Sequence, residues 1–134
     1  MGLAERRAAK QFQDTELPKY QAEILALAGA VPVEVDWNQL VVDDTAHFCA
    51  EAWAEIFFKP VVEGLRQICR DEMGKEAVQA ALKKIELRNS IDTSNASRAI
   101  SFAGGTLTID HRLANVDQTA ERTRTVVQVL EKGL

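Results

Sequence analysis

The sequence predicts an α+β fold: a single domain over residues 1–134, with about four mostly antiparallel strands and helices packed on one face, in the order α-α-β-α-α-β-β-β-α. Three observations predict it. Arg98 to Leu113 reads as a β-hairpin down to its register, with Gly104-Gly105 between two alternating runs. Gly-Gly suits a two-residue turn because both central residues take positive φ at little cost. Two further period-two runs, Val31 to Trp37 and Ile85 to Ile91, supply the other strands. The segments between and around them carry helical spacing, so strands cluster and helices segregate, the mark of α+β rather than a doubly wound sheet.

The elements follow in order. Residues 1–13 are rich in Ala, Glu, Arg and Lys, with Leu3 and Phe12 the only large apolar residues after Met1, and read as a helix. Asp14 or Thr15 caps a second helix, where Pro18 falls in the first turn and is tolerated. Leu17, Tyr20, Ile24 and Leu27 then form one apolar stripe, and Gly29 ends the helix. Val31, Val33, Val35 and Trp37 alternate with Pro32, Glu34 and Asp36, a strand whose proline places it at an edge or a strand start. Asp43, Asp44 and Thr45 cap a helical pattern from Ala46 to about Met73. Pro60 predicts a kink or two consecutive helices there, Gly74 a break, and Lys75 to Lys84 a shorter helix.

Ile85, Leu87, Asn89 and Ile91 form the second strand, and residues 93–97 a polar loop. In the hairpin, Phe102 faces Leu107 and Ile100 faces Ile109, and the same alternation carries His111 onto the apolar face. The opposite face then displays Glu86, Arg88, Ser101, Thr106, Thr108, Asp110 and Arg112. Asp117 or Thr119 caps a last helix with Ala120, Thr123, Val127, Leu130 and Leu134 on one side.

Composition limits the function classes. With 46% hydrophobic and 27% charged residues the 134-residue chain buries a working core without disulfides or metal. The net charge of −4 runs against nucleic acid, whose binders carry a strong basic excess. Arg6, Arg7 and Lys10, joined by Arg122 and Arg124, form a small basic cluster without accompanying exposed aromatics, which reads as a solvated helix face. No apolar run approaches the roughly 18 residues of a membrane span. The first residues lack the apolar core of a signal peptide, so a cytoplasmic protein is expected. Cys49 and Cys69 read as buried free thiols.

Catalytic motifs are weak. His111 is the best single acid–base candidate, since imidazole titrates near neutrality, but Asp110 beside it points to the other face and forms no dyad with it. His47, Cys49 and Glu51 are ligand types in a row; on a helix, residues two apart lie on opposite sides, and no metal is expected. Glu34 and Asp36 share a strand face and read as charges that protect an edge. Neither a phosphate loop nor a nucleophile elbow occurs. Hydrophobically, Trp53 to Val62 stands out, because Trp53, Ile56, Phe57, Phe58, Val61 and Val62 spread around more than one helix face. Either that helix is central or part of its surface meets another chain, which makes Trp53, Phe57 and Phe58 the candidate interaction residues.

The sequence therefore predicts a small non-catalytic interaction or regulatory module, working with a protein partner or a second copy of itself as a homodimer, without cofactor, nucleic acid or membrane. The alternative is a small-molecule-binding protein or small enzyme with a polar pocket near the sheet, using His111, Arg112 and Asp36.

Overall fold

The computed structural model describes residues 2–134. Helices α1 (Leu3–Thr15) and α2 (Leu17–Ala28) are joined with no loop between them, with Pro18 in the first turn of α2 and Gly29 closing it at φ 84°. Strand β1 is short (Val33–Val35), because Asp36 turns the chain: its side chain accepts the Gln39 amide at 3.3 Å and opens the single turn α3 (Trp37–Leu40). Trp37, expected in the strand, is thereby in a helix.

After a turn region comes one long helical segment made of α4 (Cys49–Ala52), a π-helical stretch (Trp53–Phe58) and α5 (Lys59–Ile68). The predicted interruption at Pro60 is thus a continuous rod whose register is widened just before the proline. Here the Glu55 carbonyl is bonded from outside: it accepts from the Thr119 hydroxyl at 3.1 Å and from the Arg122 Nε at 3.4 Å. Irregular helix persists where a neighbour satisfies displaced backbone groups. Gly74 does not break the next helix. It lies inside α6 (Glu72–Ala81), where its amide donates to the capping Asp71 carboxylate at 2.8 Å. A side chain there would collide with the Ile68 carbonyl, since a Cβ would lie 1.7 Å from it.

Strand β2 spans Lys84–Arg88, a one-turn helix α7 spans Ala96–Ala99, strands β3 (Ile100–Ala103) and β4 (Thr106–Asp110) form the hairpin, and α8 (Thr119–Gly133) ends the chain. The hairpin has the expected register, Phe102 opposite Leu107 and Ile100 opposite Ile109, with Gly104 and Gly105 at φ 58° and 82°.

The fold is α+β as predicted, but the sheet is mixed rather than mostly antiparallel. Its order is β1-β2-β4-β3, with β1–β2 and β2–β4 parallel and only β3–β4 antiparallel. The reason lies in the connections. Residues 36–83 cross over as helices before β2, which lets β1 and β2 run together, and β3 takes the outer edge so that β4 enters beside β2 in the same direction as β2.

Ile85, Leu87, Ile100, Leu107 and Ile109 are buried against the helices, which lie on one face. The core is continuous from α1 to α8 and centres on the π-helical segment. Trp53, Phe57 and Phe58, the residues singled out as interaction candidates, are each 0% exposed. Phe12 packs on Trp53 and on Phe58 with 5.5 Å between ring centroids, Tyr20 stacks on Phe58 at 5.2 Å, and Trp37 meets Trp53 edge-on at 5.3 Å. The long helix is central, flanked by α1, α2 and α8, and its aromatic surplus is absorbed within the chain. On α8 the buried side is Arg122, Thr123, Val126 and Leu130, one residue around from the expected stripe, with Ala120 exposed. Arg122 is therefore not part of a surface basic cluster. No described helix is long and apolar enough to cross a membrane.

Candidate functional site

Strand alternation leaves one face of the sheet free of helices, and its residues fall into cross-strand rows. Glu34, Glu86, Thr108 and Ser101 are mutual neighbours in register, as are Arg88 and Asp110. Glu34 and Glu86 place like charges opposite one another on adjacent strands, an unfavourable pair by itself. Lys84 resolves it, reaching Glu86 at 2.8 Å and Glu34 at 3.6 Å. Arg88 extends the network, contacting Glu86 at 3.1 Å and Asp110 at 3.0 Å. The hydrogen bond from Lys84 holds the Glu86 carboxyl below its ordinary range, and the same bond raises the Lys84 ammonium.

Asp110, expected to point outward among these polar residues, is 4% exposed. Residues 89–92 fold over it: the Ser90 and Ile91 amides donate to one carboxylate oxygen at 2.6 and 3.2 Å, and the Ser90 hydroxyl and Arg88 Nε donate to the other. Burial pushes its carboxyl up, but the Ser90 hydroxyl, the two amides and Arg88 outweigh burial and hold it below the usual range. All its lone pairs are engaged, so Asp110 anchors this loop as an anion.

At the carboxyl ends of β1 and β2 the open face dips into a concavity of about 520 Å³ lined by Glu34, Asp36, Trp37, Asn38, Glu86 and Arg88 together with Val35 and Leu87 of the two strands. In sheets of parallel strands this end is where ligands gather. Of the three sequence-predicted pocket residues, Asp36 lines the concavity and the other two do not. Arg112 is an exposed loop residue 3.8 Å from Asp92. His111 is 0% exposed on the helix side of the sheet, its Nδ1 at 2.6 Å from the Arg112 carbonyl and its Nε2 buried with no hydrogen-bond partner. With Nδ1 donating, Nε2 is an acceptor facing the core. Burial pushes the imidazole below its ordinary range, and the charges of Arg122 and Arg112 push the same way, against the opposing backbone of Arg112 and Ser94.

Trp37, Asn38, Glu86 and Arg88 were not singled out as pocket residues by the sequence. The alternation of Glu34 with Asp36 and of Glu86 with Arg88 showed which face each would share; no signal showed that β1 and β2 would lie side by side. Both cysteines are buried free thiols, with burial raising each. Among the described residues no group of three or more His, Cys, Asp or Glu side chains is placed to hold a metal ion.

No protein-family model, curated protein or solved structure matches the chain.

Proposed function

We propose that this chain is a non-catalytic protein-recognition module whose working surface is the open face of the sheet, including the concavity beside β1 and β2. One observation carries this reading: the helix-free face is fitted with a connected network of both charge signs, Glu34–Lys84–Glu86–Arg88–Asp110, bordering a recess. A mixed, ordered charge pattern selects partners and fixes register more than it supplies raw affinity. The two groups best suited to acid–base work are committed elsewhere, Asp110 to a loop and His111 to the core. A small-molecule pocket is the second reading, since about 520 Å³ is a ligand-sized volume. Half of its lining residues are charged (Glu34, Asp36, Glu86 and Arg88), whereas small-ligand pockets are mainly apolar, which favours the protein. Two unpaired, buried cysteines suit a reducing compartment, and we place the protein in the cytoplasm.

The test is a photo-crosslinking residue at Thr108, in the middle of the open face, expressed in cells of the protein's own source, with Glu131 on the exposed side of α8 as control. A protein-sized adduct from position 108 and none from 131 is expected. Adducts from 131 alone, or a small molecule retained in native mass spectrometry with no adduct at 108, would overturn the proposal.

A further inference from the structure

Strand β1 is an edge of the sheet, and only one side of its backbone is paired. The Pro32 carbonyl accepts the Ile85 amide at 2.9 Å, and the Asp36 amide donates to the Leu87 carbonyl at 3.0 Å. In a parallel ladder the groups facing the neighbour come from alternate residues. Those of Glu34 therefore face β2, and the N–H and C=O of Val33 and Val35 face outward. No described residue hydrogen-bonds to them. Pairing is open here across about four main-chain groups.

A recess lies on each side of this edge. Towards the open face is the charged concavity, with Glu34 and Asp36 exposed along its rim. On the helix side a second groove of about 290 Å³ runs along Ile24, Leu25, Val31 and Val33, with Leu25 58% exposed. A strand laid beside β1 would send alternate side chains into these two recesses, one apolar and one acidic.

We propose that β1 accepts an extended peptide segment of a partner protein as a fifth strand, with apolar and basic residues alternating along that segment. The proposal rests on the protein-recognition reading and names the partner's chemistry. The apolar residues meet Leu25, Val31 and Val33. The basic ones meet Glu34 and Asp36, because four carboxylates (Glu34, Asp36, Glu86, Asp110) face only two cations (Lys84, Arg88), and Lys84 is closer to Glu86 than to Glu34. Asp36 makes no ion pair with any described residue.

A second copy of this chain is a poorer occupant. The symmetric antiparallel register that pairs all three β1 residues of both copies is centred on Glu34, and it sets that carboxylate directly opposite its own counterpart. Strand addition takes its affinity from main-chain bonds and its selectivity from alternate side chains. An edge of three residues therefore binds weakly, and charge decides what it binds.

The experiment titrates the full chain with a capped heptapeptide alternating Val and Lys and with its Val–Glu counterpart, reading fluorescence anisotropy and amide NMR shifts. The Val–Lys peptide is expected to bind at least about tenfold more tightly, to shift the Val33 and Val35 amides and to slow their exchange. Glu34→Lys, at an exposed position, is expected to reverse the preference. Failure of both peptides to bind, shifts centred away from β1, or an unchanged preference in Glu34→Lys would overturn the proposal. Crosslinks from Thr108 with a silent β1 edge would remove strand addition and leave the open-face reading standing; peptide binding at β1 without crosslinks from Thr108 would remove the open face and leave the edge.

Discussion

His111 is an imidazole sealed in the core with one nitrogen on a backbone carbonyl and the other facing no donor, close to the charge of Arg122. Protonation there adds a cation to a dry site that already holds one, so the folded protein resists the proton more than the unfolded chain does. With the folded pKa depressed, the unfolded state binds more protons below its own value of about 6.5. Stability is then full above that pH and declines as pH falls towards the folded value, by at most about 1.4 kcal/mol per pH unit for one proton. His111→Asn retains a donor near the Nδ1 position and cannot take up a proton in this range. Urea unfolding from pH 7.5 to 5 should give a variant weaker at pH 7.5 but with a flattened profile below about pH 6.5; an unchanged slope would assign the acid sensitivity to another group. Asp110 adds its own loss only below about pH 4, since its folded carboxyl is also depressed. Strand parity alone placed His111 inside and Asp110 on the opposite face. It could not show that Asp110 would be covered, because its donors come from Ser90 and Ile91, about twenty residues earlier on another strand's exit.

Helices α5 and α8 pack directly on one another, and Gly64 is a point of close approach. A Cβ at Gly64 would lie 2.5 Å from Val126 Cγ1, whose residue is fully buried. Intrinsic propensity favours Ala over Gly within a helix by about 1 kcal/mol. Overpacking a filled core costs about 1–3 kcal/mol, and a helical valine has one strongly preferred rotamer with which to evade the clash. The steric effect should win, so Gly64→Ala is expected to destabilise by up to about 2 kcal/mol. Val126→Ala alone leaves a cavity that the new methyl at position 64 would partly fill. The double variant should therefore fall short of the sum of the singles by about 1 kcal/mol in urea midpoints, and strict additivity would place the helix contact elsewhere. Element existence was legible from local signals: the Gly29 stop, the Gly-Gly turn, the period of each strand. Gly74 and the π-helical stretch were not, because both depend on tertiary partners, the Ile68 carbonyl in one case and Thr119 with Arg122 in the other. Nor could alternation distinguish parallel from antiparallel pairing, since inward and outward parity is the same in both.

The molecule as a whole is organised around the rod from Cys49 to Ile68, with helices on several sides and the sheet beneath. Hydrophobicity spread around more than one face of Trp53–Val62 admits two solutions, a central helix or an interface, and a local pattern contains no term that separates them. The tertiary arrangement takes the first: α1 and α2 bring Phe12 and Tyr20 against Trp53 and Phe58, and α8 brings Val126 and Leu130 from the chain's end. The proposed recognition surface thereby lies on the opposite side of the molecule, where the sheet is bare. The consequence is testable with Phe57→Asp combined with Phe58→Asp. Each replacement puts a carboxylate at a site that is 0% exposed and removes a large ring from a packed cluster. Losing one such ring costs about 3–5 kcal/mol before the charge is considered, and a domain of this size has only about 5–15 kcal/mol to lose. The double variant should therefore be unfolded at neutral pH, with near-ultraviolet circular dichroism lost and earlier elution from a sizing column, as an expanded chain gives. Phe57→Leu with Phe58→Leu, which keeps the sites apolar, should fold with reduced stability and unchanged binding at the open face. A double aspartate variant that folds normally but no longer associates would instead make the aromatic rod the interface and return the sheet face to solvent.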